Sequence, residues 1–434
     1  MAKVSNVSWN NGSWNPWVGC TKCADECLHC YIDREIRKQT DWEKNEYLGL
    51  TGQSGVNREP WGKVYLTKTW GDPYKWQAEL DHANQVLHDV RLEDMCAGKT
   101  WRDFHGNWYA KVFTCSLSDF FIAAADKRSV CPPGYESALS TALKQHRRPA
   151  ARCESTLWRD CAWQVIKDTP NLIYQILTKR PELVLSRLPK DWGEGYPNVW
   201  IGVSVGCNRS LSKVDSLRKI PVHPQAVRFL SCEPLLEDIS QGLDLTGIGW
   251  VIAGGESGTK PMYDYDPLVR IDLKSNRPVT GHRRMDLKWA LRLMRMCCIK
   301  DIPFWFKQVS GTSQGLGVDA LGQVYHDCPP PPNGGRWVVE VDPKPGDPKG
   351  KRRWNTSCSK SEMRAYGAND LDHRELIDSL KHAPYRWILC EYYHPLYIEA
   401  FGEPFWTKST QLCATNFRHD GGKEKRVECL WRNY

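Results

Sequence analysis

Six short apolar runs, each closed by small and charged residues and followed by a helical pattern, restrict this chain to few folds. They cover residues 111–115, 171–177, 198–204, 226–230, 250–253 and 303–306. Continuous runs of this kind suit strands buried on both faces, as in parallel sheets covered by helices. With a first strand near Trp14, they make about six or seven βα units. The expected fold class is α/β, a partial or full parallel (β/α) barrel. In such a barrel all strand-end residues share one rim, where chemistry is placed.

The rim words are Ser116-Leu-Ser118-Asp119, Thr178-Lys179-Arg180-Pro181, Ser204-Val205-Gly206, Ser231-Cys232-Glu233-Pro234, Gly254-Gly255-Glu256-Ser257-Gly258 and Lys307-Gln308. Gly254 and Gly255 let backbone N–H groups approach a ligand carboxylate or ribose, or else form a tight turn. Lys179 and Arg180 offer cations to a carboxylate or phosphate, or pair with the nearby glutamates. Asp119 orients a substrate or caps the next helix. These three are the candidate catalytic residues.

Cys20, Cys23, Cys27 and Cys30 fall within eleven positions, directly after the first strand. Thiolates this crowded can reach one polynuclear centre, as in iron–sulfur proteins. A zinc site is the rival, but it usually takes two Cys-x-x-Cys knuckles set well apart. Disulfides between such near neighbours would staple almost nothing. All four are candidate metal ligands.

The four cysteines sit in words that carry a resemblance. Cys23-x3-Cys27-x2-Cys30 is similar to the signature of radical S-adenosylmethionine (SAM) enzymes. Trp14-Asn15-Pro16, Gly19-Cys20-Thr21 and Cys27-x2-Cys30-Tyr31, with the ordered rim words Ser-x-Ser-Asp, Leu-Thr-Lys-Arg-Pro, Gly-Val-Ser, Ser-Cys-Glu-Pro-Leu and Gly-Gly-Glu-Ser-Gly, resemble a phage- and prophage-borne radical-SAM-like family. The likeness runs over residues 8–309, interrupted near 70–107 and 262–284. That family's Cys-x6-Cys-x2-Cys spacing selects Cys20, Cys27 and Cys30, whereas superfamily spacing selects Cys23 in place of Cys20. The resemblance implies a 4Fe-4S cluster with one open iron that binds SAM, and a 5′-deoxyadenosyl radical made by one-electron cleavage. It also implies an electron donor of flavodoxin or ferredoxin type. Glu233 and Glu256 would then accept hydrogen bonds from the methionine amino group or ribose of SAM, or form internal salt bridges instead. Ser118, Ser204 and Tyr31 complete the cofactor-binding candidates with Gly254 and Gly255.

Hydrophobic content of 41% and charged content of 25% are those of a soluble globular protein, while 21 Trp and 18 Cys are unusual. Many scattered cysteines suggest a reducing compartment. There is no apolar signal segment and no membrane-length run, so the expected location is cytoplasmic (host cytoplasm if phage-encoded), with no membrane partner. A net charge of +8 permits an anionic partner.

The expected domains are a barrel over 1–310, a linker and short-strand region over 311–353, and a C-terminal accessory region over 354–434. The 70–107 insertion reads as a surface excursion or a lid. Basic stretches lie at 144–152 and 274–284. The tail interleaves Trp387, Tyr392, Trp406, Phe417 and Trp431 with basic residues, which suits base stacking or a small core. The leading expectation is an enzyme, a radical-SAM catalyst that modifies or rearranges a nucleic-acid base or nucleotide in phage DNA metabolism, with thymidine or base hypermodification its concrete form. The alternatives are a radical DNA-repair lyase, a non-catalytic iron–sulfur or zinc nucleic-acid-binding protein, or an enzyme acting on a small molecule.

Overall fold

The computed structural model describes residues 7–32, 62, 64–67, 69–96, 106–126, 157–257, 271–272, 277–278, 282–311, 314–338, 340–341, 353–354, 377, 380–382, 388–392, 395–401, 406–411 and 425–432. The basic stretch 144–152, residues 273–276 and the helix expected beyond Ile32 lie outside them.

Numbered along the chain, the strands begin with β1 (Gly12–Trp14), β2 (Trp17–Val18) and β3 (Tyr65–Leu66). They continue with β4 (Trp108–Thr114), β5 (Leu172–Thr178), β6 (Val199–Ser204), β7 (Arg228–Cys232) and β8 (Trp250–Gly254). Two short strands, β9 (Ile271–Asp272) and β10 (Arg277–Pro278), precede β11 (Phe304–Gln308) and β12 (Arg336–Trp337). One sheet runs β1-β4-β5-β6-β7-β8-β11, every neighbour parallel, and curls into a half-barrel. The partial barrel expected from the apolar runs is the architecture found.

Period-two alternation gives the sheet two apolar faces. Ala110, Val112, Leu172, Tyr174, Ile176, Ile201, Val203 and Val251 belong to the main core, under the helices. Tyr109, Phe113, Ile173, Trp200, Phe229, Trp250, Ile252 and Trp305 form a second cluster on the other face. Trp9, from the segment before β1, packs into that face, its ring 4.6 Å from Phe113 and 5.9 Å from Trp250.

Helix α1 (Asp72–Cys96) corrects the reading of 70–107 as an excursion or lid. Its buried residues Trp76, Leu80, Ala83, Leu87 and Val90 recur at alternating steps of four and three, one stripe of a helix. That stripe packs on β4, β5 and the next helix, so the segment is part of the barrel wall. Gln77 and Tyr74 bind it there, through the Asn171 N–H (2.9 Å) and Asp168 (2.7 Å). Helices α2 (Trp158–Asp168), α3 (Ser212–Arg218) and α4 (Leu287–Ile299) follow the same rule. The side chain of Asp286 caps α4 by accepting from the Lys288 N–H.

Residues past 310 also pack against the sheet. Strand β12 pairs in parallel with the first residues of β4, and Trp337 joins the aromatic cluster beside Trp200. His326 stacks on Trp305 at 4.1 Å. The N-terminal ends of the strands are thus closed by residues 325–337, and the region is more than a linker. Further on, β13 (Glu340–Val341) pairs with β14 (Arg353–Trp354). Strands β15 (Ile388–Tyr392), β16 (Trp406–Gln411) and β17 (Lys425–Arg432) make an antiparallel sheet of order β15-β17-β16, with helix α5 (Pro395–Phe401) between β15 and β16. No helix among the described residues is long and apolar enough to cross a membrane.

Candidate functional site

A cavity of about 1070 Å³, counted with its open mouth, lies at the C-terminal ends of the strands. Its apolar floor is Val7, Trp9, Phe113 and Leu177, and its wall carries Cys20, Cys27 and Cys30. The cysteine loop leaves β2 and crosses the strand ends through a short 3-10 turn at Asp25–Cys27. All four cysteines are free thiols; Cys20 and Cys27 are buried, Cys30 is half-buried and Cys23 is exposed.

Most rim residues hold this loop. Asp119 accepts from Thr178 Oγ1 (2.9 Å), from the Lys179 and Phe121 N–H groups (3.0 Å each) and from Arg180 (3.3 Å). Its carboxylate is buried and fully paired within the protein; it caps no helix, since the 3-10 turn that follows begins at Ile122 without a side-chain cap. Arg180 carries the link onward to the Thr21 hydroxyl (2.6 Å) and carbonyl, and stands 3.9 Å from Cys20 Sγ. It too is a strut. Ser118 donates to the Gly19 carbonyl (2.6 Å) and Tyr31 to that of Ser116. Arg180 and Ser118 thus hold the loop backbone, and Tyr31 ties the end of the loop to the turn after β4.

Glu256 resolves as the internal salt bridge. Burial pushes its carboxyl up, but His29 (3.1 Å) and Arg283 outweigh this and hold it at about 2. Arg283 also donates to the Asp25 carbonyl (3.2 Å), so this pair is another tether of the loop. The basic stretch 274–284 thus contributes a buried structural arginine. Gly255 serves close packing: a Cβ there would sit 2.2 Å from the Ser310 nitrogen. At Gly254 a Cβ would lie 2.8 Å from Glu233 Oε1, so this glycine makes room for a side chain.

Glu26, inside the cysteine run, was missed from the sequence. It accepts from the Gly206 N–H (3.0 Å) and Ser210, with Lys213 at 3.6 Å, and these partners hold its carboxyl below the usual range despite burial. Its signal was a carboxylate between cysteines. His29, Arg283 and Lys307 were also missed as site residues; their pairing across distant strands leaves no local pattern.

Four side chains face the cavity with fewer ties. Lys179 donates to Ser204 (3.1 Å). Burial works against its charge, but Cys27, Cys30 and Glu26 hold its pKa above the ordinary lysine range. Glu233 meets Lys307 at 3.0 Å. Among the thiols, burial pushes Cys20 up to about 12 and raises Cys30. The hydrogen bond from Cys23, helped by Lys179, outweighs burial and draws Cys27 below the ordinary thiol range.

Among the described residues no three His, Cys, Asp or Glu side chains converge as a site for a single ion. The donor chemistry still fits a thiolate-bound polynuclear group. The thiols share one cavity, the neighbouring carboxylates Glu26 and Glu256 are engaged elsewhere, and a lysine stands by to offset thiolate charge.

No curated protein and no solved structure matches the chain. A family model does, over residues 4–131 and 153–265, a span that holds the cysteine loop and the rim from β4 to β8. The chain belongs to that family, described as "Protein of unknown function (DUF5131)".

Proposed function

We propose that this protein is a radical-SAM enzyme, with a 4Fe-4S cluster held by Cys20, Cys27 and Cys30. The observation that carries the reading is that these three free thiols line one cavity at the C-terminal mouth of a parallel half-barrel. Several thiols that line one cavity suit a polynuclear group. Cys20 is favoured over Cys23 as third ligand because it lines that cavity, while Cys23 is exposed. When bound, such a cluster supplies the electron that cleaves SAM to a 5′-deoxyadenosyl radical.

The chain's own residues do the remaining work. Arg180, Glu26 and the Glu256–Arg283 pair hold the thiols in place, so that ligand geometry is set before anything binds. Lys179 offsets negative charge on the sulfurs. Trp9, Phe113 and Leu177 make a dry floor that keeps water from a reactive intermediate. The net charge of +8 suits an anionic substrate such as a nucleotide or nucleic acid, in the phage setting that the resemblance implies. The reaction also calls for a one-electron donor of flavodoxin or ferredoxin type.

The test is anaerobic reconstitution with iron and sulfide, reduction with dithionite in the presence of SAM, and mass spectrometry for 5′-deoxyadenosine. The reading expects its formation and its loss in Cys27→Ala. One tightly held zinc with no iron, or no SAM cleavage by the clustered protein, overturns it.

A further inference from the structure

Cys115 directly follows β4 and lines the cavity together with Cys20, Cys27 and Cys30, although it lies outside the cysteine loop. Its backbone is pinned on both sides. The N–H donates to the Trp14 carbonyl (2.9 Å), and the carbonyl accepts from the Ser118 N–H (3.0 Å). Its φ is 61°, in the left-handed region that side chains rarely adopt. Among the described residues the other non-glycine positions of this kind are Asp301 and Asn333, residue types that tolerate it, and neither lines the cavity.

The Cys115 thiol also differs from the others on the cavity wall. Cys20 donates to the Thr21 carbonyl (3.5 Å), Cys27 accepts from Cys23, and Cys30 accepts from the Ile32 N–H. Cys115 is 2% exposed, and among the described residues its sulfur makes no hydrogen bond. Two more buried atoms on this wall, Glu26 Oε2 and Glu233 Oε1, make none either, although each has a lysine within 3.6 Å. Buried polar atoms left open around one cavity point to a ligand inside it.

We infer that Cys115 is a hydrogen-atom donor to carbon radicals formed in this cavity. The inference rests on the proposed radical-SAM reading and adds to it the source of the closing hydrogen. An S–H bond is weaker than a C–H bond, so transfer runs downhill from sulfur to carbon. The S–H bond breaks homolytically and a C–H bond forms; carbon is reduced by one electron and sulfur is oxidised to a thiyl. One electron from the flavodoxin- or ferredoxin-type donor and one proton from water then restore the thiol. A thiol with no hydrogen bond has none to break before the transfer, and burial screens the thiyl from side reactions.

The test is run in heavy water, where S–H exchanges and C–H does not. Reconstituted protein is reduced with dithionite in the presence of SAM alone, and the 5′-deoxyadenosine is analysed by mass spectrometry. The unaltered protein should place deuterium in its 5′-methyl group. Cys115→Ser keeps the size and an exchangeable hydrogen, but its O–H bond is too strong to give a hydrogen atom to carbon. It should form less 5′-deoxyadenosine, free of deuterium, and Cys115→Ala should match it. Iron and sulfide content and melting temperature should stay level in both, as expected of a thiol that is not a ligand. Deuterium that persists in the folded variants, or is absent with the unaltered protein, overturns the inference and leaves the radical-SAM reading standing. Loss of iron in the variants makes Cys115 a cluster ligand and also overturns it. If the unaltered protein forms no 5′-deoxyadenosine, the radical-SAM reading itself fails and the inference falls with it.

Discussion

Arg283 grips Glu256 through its Nε, its Nη2 and its own backbone N–H, with contacts from 2.5 to 3.2 Å, both side chains almost wholly buried. Removing the guanidinium leaves the buried Glu256 carboxylate with only His29 and a backbone N–H. Arg283→Leu should therefore destabilise the protein by about 3–5 kcal/mol, read from urea denaturation. A change within error would mean that the carboxylate finds water.

The same pair makes stability depend on acid. The Glu256 carboxyl lies near 2 in the folded protein against an ordinary value of 4.5. A depressed carboxyl stabilises the fold at pH above its unfolded value, and that contribution fades as pH falls toward the folded value. Melting temperature should drop between about pH 4.5 and 2. Glu256→Gln should start lower at neutral pH and show a shallower drop.

The assignment of thiols predicts unequal cysteines. After anaerobic reconstitution, Cys20→Ala, Cys27→Ala and Cys30→Ala should each lose most bound iron, while Cys23→Ala keeps it. Iron and sulfide analysis decides the matter. Retention in Cys20→Ala with loss in Cys23→Ala would transfer the third ligand to the exposed cysteine.

Gly206 tests how tightly the loop is seated. A Cβ at this position would lie 2.0 Å from the Pro234 carbonyl and 3.1 Å from the Glu26 side chain. Gly206→Ala should cost about 1–3 kcal/mol through forced backbone shifts and should loosen the cysteine loop. Denaturation together with faster thiol labelling at Cys27 would register both effects.

Glu233 and Glu256, two similar rim carboxylates, should separate cleanly. Glu256→Gln should lower the melting temperature with little specific effect on S-adenosylhomocysteine, and Glu233→Gln the reverse. Parallel effects on both readouts would remove the distinction between Glu256 as a strut and Glu233 as the cofactor contact that the resemblance implies.

The sequence by itself determined the parallel strands, because burial on both faces demands continuous apolar runs that no other element of this length requires. It also determined that the words after each strand share one rim, and that the four cysteines are neighbours. Helix α1 was legible in principle, through its Trp76, Leu80, Ala83, Leu87 and Val90 stripe, but five apolar positions among many charged ones gave a weak period. Only the tertiary structure decided which rim residue does what. A carboxylate such as Glu256 is a strut or a ligand according to whether a cation from elsewhere in the chain reaches it, and Arg283, twenty-seven positions away, does. Glu233 meets instead a lysine on β11, over a glycine on β8. Strand propensity and apolar period are local properties of the chain; charge pairing at a rim is set by the curl of the sheet, which brings distant strand ends within hydrogen-bond distance.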